Sequence, residues 1–222
     1  MLILKLTKVV IMKKLTISIL SLVFISSCST VYYKTWEVFG KEKRDLLRAN
    51  LEELSDDQAE SKEEFSSVLE KIRVKYNISS SNLSNYYDKI SNDYSNLEDE
   101  VNDINSQIDK VNSIANDLFK EWRTEIYTFT NKKYKSESLK KLRSSKKKFD
   151  RFLKIAKESY KNSAFVLKKF KDQVLYVKHN LNAQVVGNLK SELSKLESDL
   201  KKLIPKIEQS IKESQQIVSE FK

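Results

Sequence analysis

The sequence is poor in the residues that build tight turns and metal centres. It holds two glycines, one proline, one cysteine and one histidine in 222 residues. Folds with sheets need turns about every ten residues, and turns draw on glycine and proline, so a Rossmann domain, a β-sandwich and a P-loop are all disfavoured. The one cysteine, Cys28, excludes an intramolecular disulfide and a zinc site. The one histidine, His179, excludes histidine-rich metal centres but leaves a Ser-His-Asp triad open.

What the chain has instead is charge and moderate hydrophobicity. Charged residues make up 32% of it and hydrophobic residues 40%, with a mean hydropathy of −0.53. The charge excludes a multi-span membrane protein, and the hydrophobic content is too high for a wholly disordered chain. Long helices joined by few loops remain as the expected structure.

The N-terminal region has the parts of a secretory signal in the right order. Lys13 and Lys14 form a positive segment, residues 15–25 form an apolar run, and Ile-Ser-Ser-Cys at residues 25–28 is similar to the lipobox of bacterial lipoproteins. In those proteins the cysteine thiol is diacylated and the preceding peptide is removed. The alternative is a short transmembrane anchor, but the apolar run is short for the roughly 20 residues that a span needs. We therefore predict lipidation at Cys28.

This interpretation divides the chain into three parts. Residues 1–27 are predicted to be a signal peptide, for which Met12 is an alternative start, residues 28–34 a lipidated N-terminus and tether, and residues 35–222 a helical bundle domain. The removed part holds four lysines and no acid, so the net charge falls from +10 to +6. Because Ser29 rather than aspartate follows the cysteine, we expect attachment to the outer membrane, with the bundle facing the periplasm.

A heptad pattern of apolar residues predicts a helix from about 84 to about 130. The apolar positions are spaced four and three residues apart without a miss, a period that no strand can use. They are Leu83, Tyr87, Ile90, Tyr94, Leu97, Val101, Ile104, Ile108, Val111, Ala115, Leu118 and Trp122.

The same period predicts further helices on either side. The first spans about 35–76, with Gln58 and Ser61 on its otherwise apolar seam; a polar layer of this kind often fixes helix register, and we favour that role over a ligand site. Another seam follows a predicted loop near residues 130–137 and continues through Leu153 to Leu181, with Lys146 and Ser163 as interruptions. The last seam consists of Leu189, Leu193, Leu196, Leu200, Leu203 and Ile207.

These seams predict an all-α fold, an elongated antiparallel bundle of four long coiled-coil-like helices. One unbroken helix from 138 to 221 would be about 125 Å long and would leave half of its apolar seam uncovered. We therefore favour a chain that folds back near residues 179–182.

Charge is distributed unevenly among the predicted helices. Residues 132–171 hold 16 Lys or Arg and 3 acids, whereas residues 84–125 hold 4 and 10, and residues 35–76 hold 8 and 11. A basic third helix packed beside acidic first and second helices would offset charge within the molecule. The same basic helix could instead bind an anionic partner.

Few side chains suggest chemistry. His179 is the one tempting catalyst, but no glycine-rich nucleophile elbow accompanies it, and a histidine at a helix end is the simpler interpretation. The acidic pairs and triplets at residues 56–57 and 98–100 are predicted to face solvent. Tyr32, Tyr33, Trp36 and Phe39 follow the cysteine closely and could lie either at the headgroup interface or against the bundle end.

Three segments together resemble a known family. They are residues 32–45, YYKTWEVFGKEKRD; residues 118–122, LFKEW; and residues 174–183, VLYVKHNLNA. The chain resembles a bacterial lipoprotein family known as domain of unknown function 2959, and the resemblance covers essentially the whole chain after the cysteine. It implies export and a helical fold, and it implies no activity.

We therefore expect a non-enzymatic, membrane-anchored envelope lipoprotein that acts as a scaffold, spacer or adaptor. Its expected partners are the lipid bilayer, through acylated Cys28, and an envelope protein. The alternative is a binding module for an anionic lipid, lipopolysaccharide or another anionic polymer through the basic third helix, with nucleic acid disfavoured. An envelope hydrolase using His179 is the least favoured hypothesis. We expect no cofactor and no metal.

Overall fold

The computed structural model describes residues 43–73, 82–180 and 185–221. Of these described residues, 96% are helical and none forms a strand. The helices are α1 (Lys43–Arg73), α2 (Leu83–Thr128), α3 (Lys132–His179) and α4 (Val185–Glu220). The chain divides into two compact units, Met1–Leu46 and Leu47–Lys222, and the second contains all of the described structure except the first turn of α1.

Side-chain contacts show that neighbouring helices run antiparallel. Glu53 and Lys71 of α1 pair with Lys110 and Asp93 of α2 at 3.6 and 2.6 Å, so residue numbers rise in one helix as they fall in the other. Aromatic contacts join α2 and α3 in the same way, Phe119 with Phe149 and Tyr94 with Phe170. The predicted all-α antiparallel bundle is confirmed.

The fourth helix closes the bundle by packing between α3 and α1. Lys169 of α3 pairs with Asp199 of α4 at 2.5 Å, and Lys206 of α4 donates to Asn162 of α3 at 2.9 Å. Ser214 Oγ of α4 donates to the carbonyl of Leu51 in α1 at 3.0 Å. Because α3 ends at His179 and α4 begins at Val185 and returns along α3, the predicted reversal of the chain near residue 180 is confirmed.

The predicted apolar seams form the core, with a shift in phase along α2 and α3. All six predicted positions of α4 are buried. In α2 the predicted seam ends on Leu118 and Trp122, but the buried residues are Phe119 and Ile126. In α3 it is Phe152, not Leu153, that is buried. A straight α-helix drifts by about 20° per heptad from a strict 3.5-residue repeat, so a long heptad count places the last residues on the wrong side.

The turn between α2 and α3 is shorter than predicted. The loop expected near residues 130–137 is reduced to residues 129–131, because Asn131 caps α3. Its Oδ1 accepts hydrogen bonds from the backbone N–H groups of Lys133 and Tyr134 at 2.9 and 3.2 Å. Such a cap satisfies backbone donors that have no partner within the helix, and it allows the helix to begin six residues earlier than expected.

Two further features concern a proline within α4 and the apolar character of the helices. Helix α4 continues through Pro205, whose ring lacks the N–H that would bond within the helix. Within the described ranges, no helix has the length and apolar character required to cross a bilayer.

Candidate functional site

The predicted lipidation site lies outside the described residues, together with everything near it. This applies to Cys28 and its lipobox, to Tyr32, Tyr33, Trp36 and Phe39, and to Leu181 at the end of the third seam. Their roles stay predictions from the sequence.

His179 is the last residue of α3 and has an exposed side chain. The neighbouring Asn180 ends the helix, and its side-chain amide donates to the carbonyl of Tyr176 at 2.9 Å. No hydrogen bond or ion pair joins His179 to any residue in the described ranges. The structure therefore does not assemble a triad around His179 from the residues it describes, and the hydrolase hypothesis stays untested.

A polar layer crosses the middle of the bundle core. Gln58 and Ser61 of α1, each 1% exposed, face Ser159 and Ser163 of α3 around a cavity of about 10 Å³. Tyr160 of α3 and apolar residues of α2 and α4 complete the lining: Val101, Ile104 and Ile207. The sequence predicted the α1 half of this layer; the α3 half was missed because Ser163 was read as an isolated interruption of the seam.

The hydrogen bonds of this layer are incomplete. Ser163 Oγ donates to the carbonyl of Ser159 at 3.2 Å, within the same helix. Gln58 Oε1 and Ser61 Oγ are buried and have no hydrogen-bond partner among the described residues. A buried polar atom without a partner costs about 1–3 kcal/mol, so the layer reduces stability. This geometry agrees with a role in register, and its volume is too small for an organic ligand.

An acidic cluster lies between α1 and α2. Burial, followed by the nearby carboxylates of Glu64, Glu60 and Asp57, raises the pKa of Glu100 to about 7. The three α1 acids are spaced three and four residues apart and so share one helix face. We predicted that Glu100 would face solvent; it is half-buried, because the α1–α2 register places Glu64 opposite it. The spacing that places Asp57, Glu60 and Glu64 on one face of α1 was visible in the sequence. That this face lies opposite Glu100 depends on the register between α1 and α2, which the sequence did not show.

The cluster is not arranged as a metal centre. No group of three or more His, Cys, Asp or Glu side chains is placed to hold an ion anywhere in the described ranges. Asp57 instead accepts a hydrogen bond from Gln107 of α2.

A groove of about 230 Å³ lies between α3 and α4 near the end of the bundle that carries the α3–α4 turn. Gln173 donates to the carbonyl of Glu192 at 3.1 Å, and Asn188 donates to the Tyr176 hydroxyl at 3.2 Å, so polar contacts bridge its walls. Its volume is below the roughly 300–1,000 Å³ of typical small-molecule sites.

The basic surface of α3 is divided between paired and unpaired cations. Three cations pair with α4: Lys148 with Glu220, Arg151 with Glu213, and Lys169 with Asp199. Two more pair with Asp109 and Glu98 of α2, namely Lys157 and Lys171. Between helices of the described ranges, the ion pairs of α3 therefore run to α2, as expected, and to α4 rather than to α1.

The remaining cations of α3 are concentrated in its first half. Seven exposed residues there have no carboxylate partner in the described part of the chain: Lys132, Lys133, Lys140, Lys141, Arg143, Lys147 and Lys154. Exposed ion pairs contribute only about 0–1 kcal/mol each, so these cations would add little to stability even if paired. They form a positive surface that is open to an anionic partner.

Comparison with known proteins identifies a family but no activity. A family model described as a protein of unknown function, DUF2959, matches residues 32–221. The chain belongs to this family. No curated protein and no solved structure matches the chain.

The segments that resemble the DUF2959 family contribute to packing where the structure describes them. In residues 118–122, Phe119 is buried against Phe149 with ring centroids 5.8 Å apart, and Trp122 Nε1 donates to Ser138 Oγ at 3.3 Å. In residues 174–180, Val174 and Val177 are buried in the core. These parts of the resemblance therefore lie in residues that pack the bundle.

Proposed function

We propose that the chain is a lipid-anchored protein of the bacterial cell envelope that acts without catalysis as a scaffold, spacer or adaptor. The observation that carries the proposal is the order of the signal elements before Cys28: two lysines, an apolar run and the residues Ile-Ser-Ser. Two or three acyl chains anchor a protein stably, whereas a single chain binds only marginally. Ser29 favours the outer membrane and a bundle that faces the periplasm.

The length of the bundle supports a role in holding two partners apart. Helix α3 has 48 residues and therefore a length of about 70 Å. Four packed helices of this kind hold their two ends at a fixed separation. A partner bound at one end would be held at a set distance from a partner at the other.

The anchor is tested by fractionating cells that produce wild type, Cys28→Ala and Ser27→Ala. Wild type and Ser27→Ala, which keeps a small residue before the cysteine, should stay in the membrane fraction after a high-salt wash. Cys28→Ala should lose its acyl chains and label with an alkyne fatty acid no more than background. Equal labelling of Cys28→Ala and wild type would contradict the proposal.

The scaffold role is tested by photo-crosslinking in intact cells. A photoreactive amino acid at exposed positions on both ends of the bundle should give discrete adducts with envelope proteins. If His179→Ala instead reproduced the phenotype of a gene deletion while adducts and thermal stability were unchanged, the hydrolase alternative would replace the scaffold role.

A second candidate function, binding to an anionic polymer or surface, is favoured by the unpaired cations of α3. The variant Lys140→Gln, Lys141→Gln, Lys147→Gln removes three of them, and Lys148→Gln, Arg151→Gln serves as the control because its cations already pair with α4. If α3 binds anions, the triple variant should be retained less on heparin or lipopolysaccharide at low salt, without a change in melting temperature. Retention equal to that of wild type would contradict this function.

A further inference from the structure

The α2–α3 hairpin extends beyond the end of α4. Lys148 of α3 pairs with Glu220, the last residue of α4, so these two residues lie at the same level. Residues 132–147 of α3 continue past that level for 16 residues, or about 24 Å. We call residues 127–147 the hairpin tip.

The hairpin tip carries exposed aromatic side chains. Tyr127, Phe129 and Tyr134 are 58%, 43% and 60% exposed. They account for half of the large hydrophobic side chains that are exposed in the described ranges, yet they lie within eight residues of one another. Single exposed apolar residues are normal on a protein surface, but such a concentration at one point indicates an interaction site.

The aromatic side chains lie beside a strongly basic stretch of α3. Residues 132–147 contain eight Lys or Arg and one acid, Glu137. Lys135 Nζ lies 4.6 Å from the ring centroid of Tyr127. Exposed aromatic rings beside lysines are the combination that favours the interface of an anionic bilayer, where rings enter the headgroup layer and ammonium groups lie near phosphates.

The chain enters the bundle at the end that carries the hairpin tip. Leu51 contacts Ser214 near the end of α4, and α1 runs antiparallel to α4, so Leu47 lies toward the same end. Cys28 precedes Leu47 by 19 residues, a segment that can span at most about 65 Å. An acyl group on Cys28 can therefore hold a bilayer within reach of the tip, which lies about 25 Å from the level of Lys148, whereas the opposite end of α3 lies about 45 Å from that level.

We propose that the hairpin tip docks on the anionic bilayer that holds the acyl chains of Cys28. The proposal rests on the lipid anchor of the proposed function and names a second membrane contact. The aromatic residues lie among the headgroups, and Lys132, Lys133 and their neighbours lie near the lipid phosphates. Two contacts, one covalent and one through the tip, set the orientation of the bundle on the membrane.

The test uses the full lipidated chain with one probe thiol. The thiol of Cys28 is acylated and it is the only cysteine, so Thr130→Cys or Ser191→Cys introduces a single reactive site. Both positions are exposed and small; Thr130 lies in the tip, whereas Ser191 lies beside Glu192, which contacts Gln173 near the far end of α3. Each variant is labelled with an environment-sensitive fluorophore and reconstituted into vesicles of phosphatidylcholine, with or without phosphatidylglycerol.

We expect the Thr130 probe to shift its emission to the blue in vesicles that contain phosphatidylglycerol, and the Ser191 probe to remain unchanged. Lys132→Gln and Lys133→Gln should each lower the ratio of docked to undocked protein about fivefold. Phe129→Ser with Tyr134→Ser should abolish the shift, whereas Phe165→Ser, which removes an equally exposed aromatic ring elsewhere on α3, should leave it intact.

The two proposals fail in different ways. If the chain does not float with vesicles of phosphatidylcholine alone, the acyl anchor is wrong. If it floats but the Thr130 probe emits alike in both kinds of vesicle, or responds no more than the Ser191 probe, the docking of the tip is wrong.

Discussion

Gln58 is a fully buried amide in the middle of the bundle, and its Oε1 atom has no hydrogen-bond partner in the described part of the chain. Methionine has a similar volume and no polar group to leave unpaired. We expect Gln58→Met to raise the free energy of unfolding by about 1 kcal/mol in chemical denaturation. Gln58→Ala, which leaves a cavity, should lower it.

The opposite result would change the interpretation of the polar layer. If Gln58→Met destabilised the protein as much as Gln58→Ala, the amide would be making a favourable interaction in solution. The layer would then contribute to stability, and the cost assigned to the unpaired Oε1 atom would be wrong.

Glu100 gives the molecule a predicted pH dependence. Its pKa is about 7 in the folded protein against a reference value of 4.5, so the folded state binds more protons between these values. The contribution of Glu100 to stability is therefore fully present below pH 4.5 and is lost as the pH rises through 7. We expect Glu100→Gln to stabilise the protein above pH 7 by on the order of 1 kcal/mol, after allowance for solvent screening.

The measurement is denaturant unfolding of wild type and Glu100→Gln across this pH range. Asp99→Asn is the control, because Asp99 is the adjacent acid and its side chain is exposed. If both variants changed stability equally at every pH, the cluster with Asp57, Glu60 and Glu64 would not be the cause.

At the scale of the helix, adjacent residues of α2 test the shift of its apolar seam. The heptad pattern predicted Leu118 in the core, but Phe119 is the buried residue and contacts Phe149. We expect Phe119→Ala to cost about 3–5 kcal/mol of unfolding free energy, and Leu118→Ala to cost less than half as much. Thermal or denaturant unfolding that showed the larger loss for Leu118→Ala would contradict the observed phase.

This pair of residues shows where prediction from sequence stops. Apolar periodicity located α2 to within about two residues at each end, because the extent of the period marks the residues over which a helix has an apolar face to bury. The phase of the buried face along a long helix depends on the drift of the helix from a 3.5-residue repeat. The start of α3 at Lys132 depends on the Asn131 cap. A heptad count includes neither effect. The acids facing Glu100 and the overhang of the hairpin depended on the register between helices, which no single helix encodes.

At the scale of the whole molecule, the four helices are expected to fold together. Residues of all four helices form one apolar core, and α4 contributes Leu189, Leu196 and Leu203 to it. A chain that ends after Asn180 would expose the faces of α1 and α3 that α4 covers. We expect this truncation to lose the cooperative thermal transition of the full chain, as followed by far-ultraviolet circular dichroism.

An unchanged transition in the truncated chain would contradict the closed bundle. It would mean that α1, α2 and α3 are stable without α4. The contacts of α4 with Leu51 and Asn162 would then add little to the fold.

The most direct test of the account as a whole is the intact mass of the protein purified from cell envelopes. If the lipid anchor is correct, the mature chain begins at Cys28 and carries a diacylglyceryl group, with or without a third acyl chain. A mass that corresponds to an unmodified chain beginning at Met1 or Met12 would contradict it.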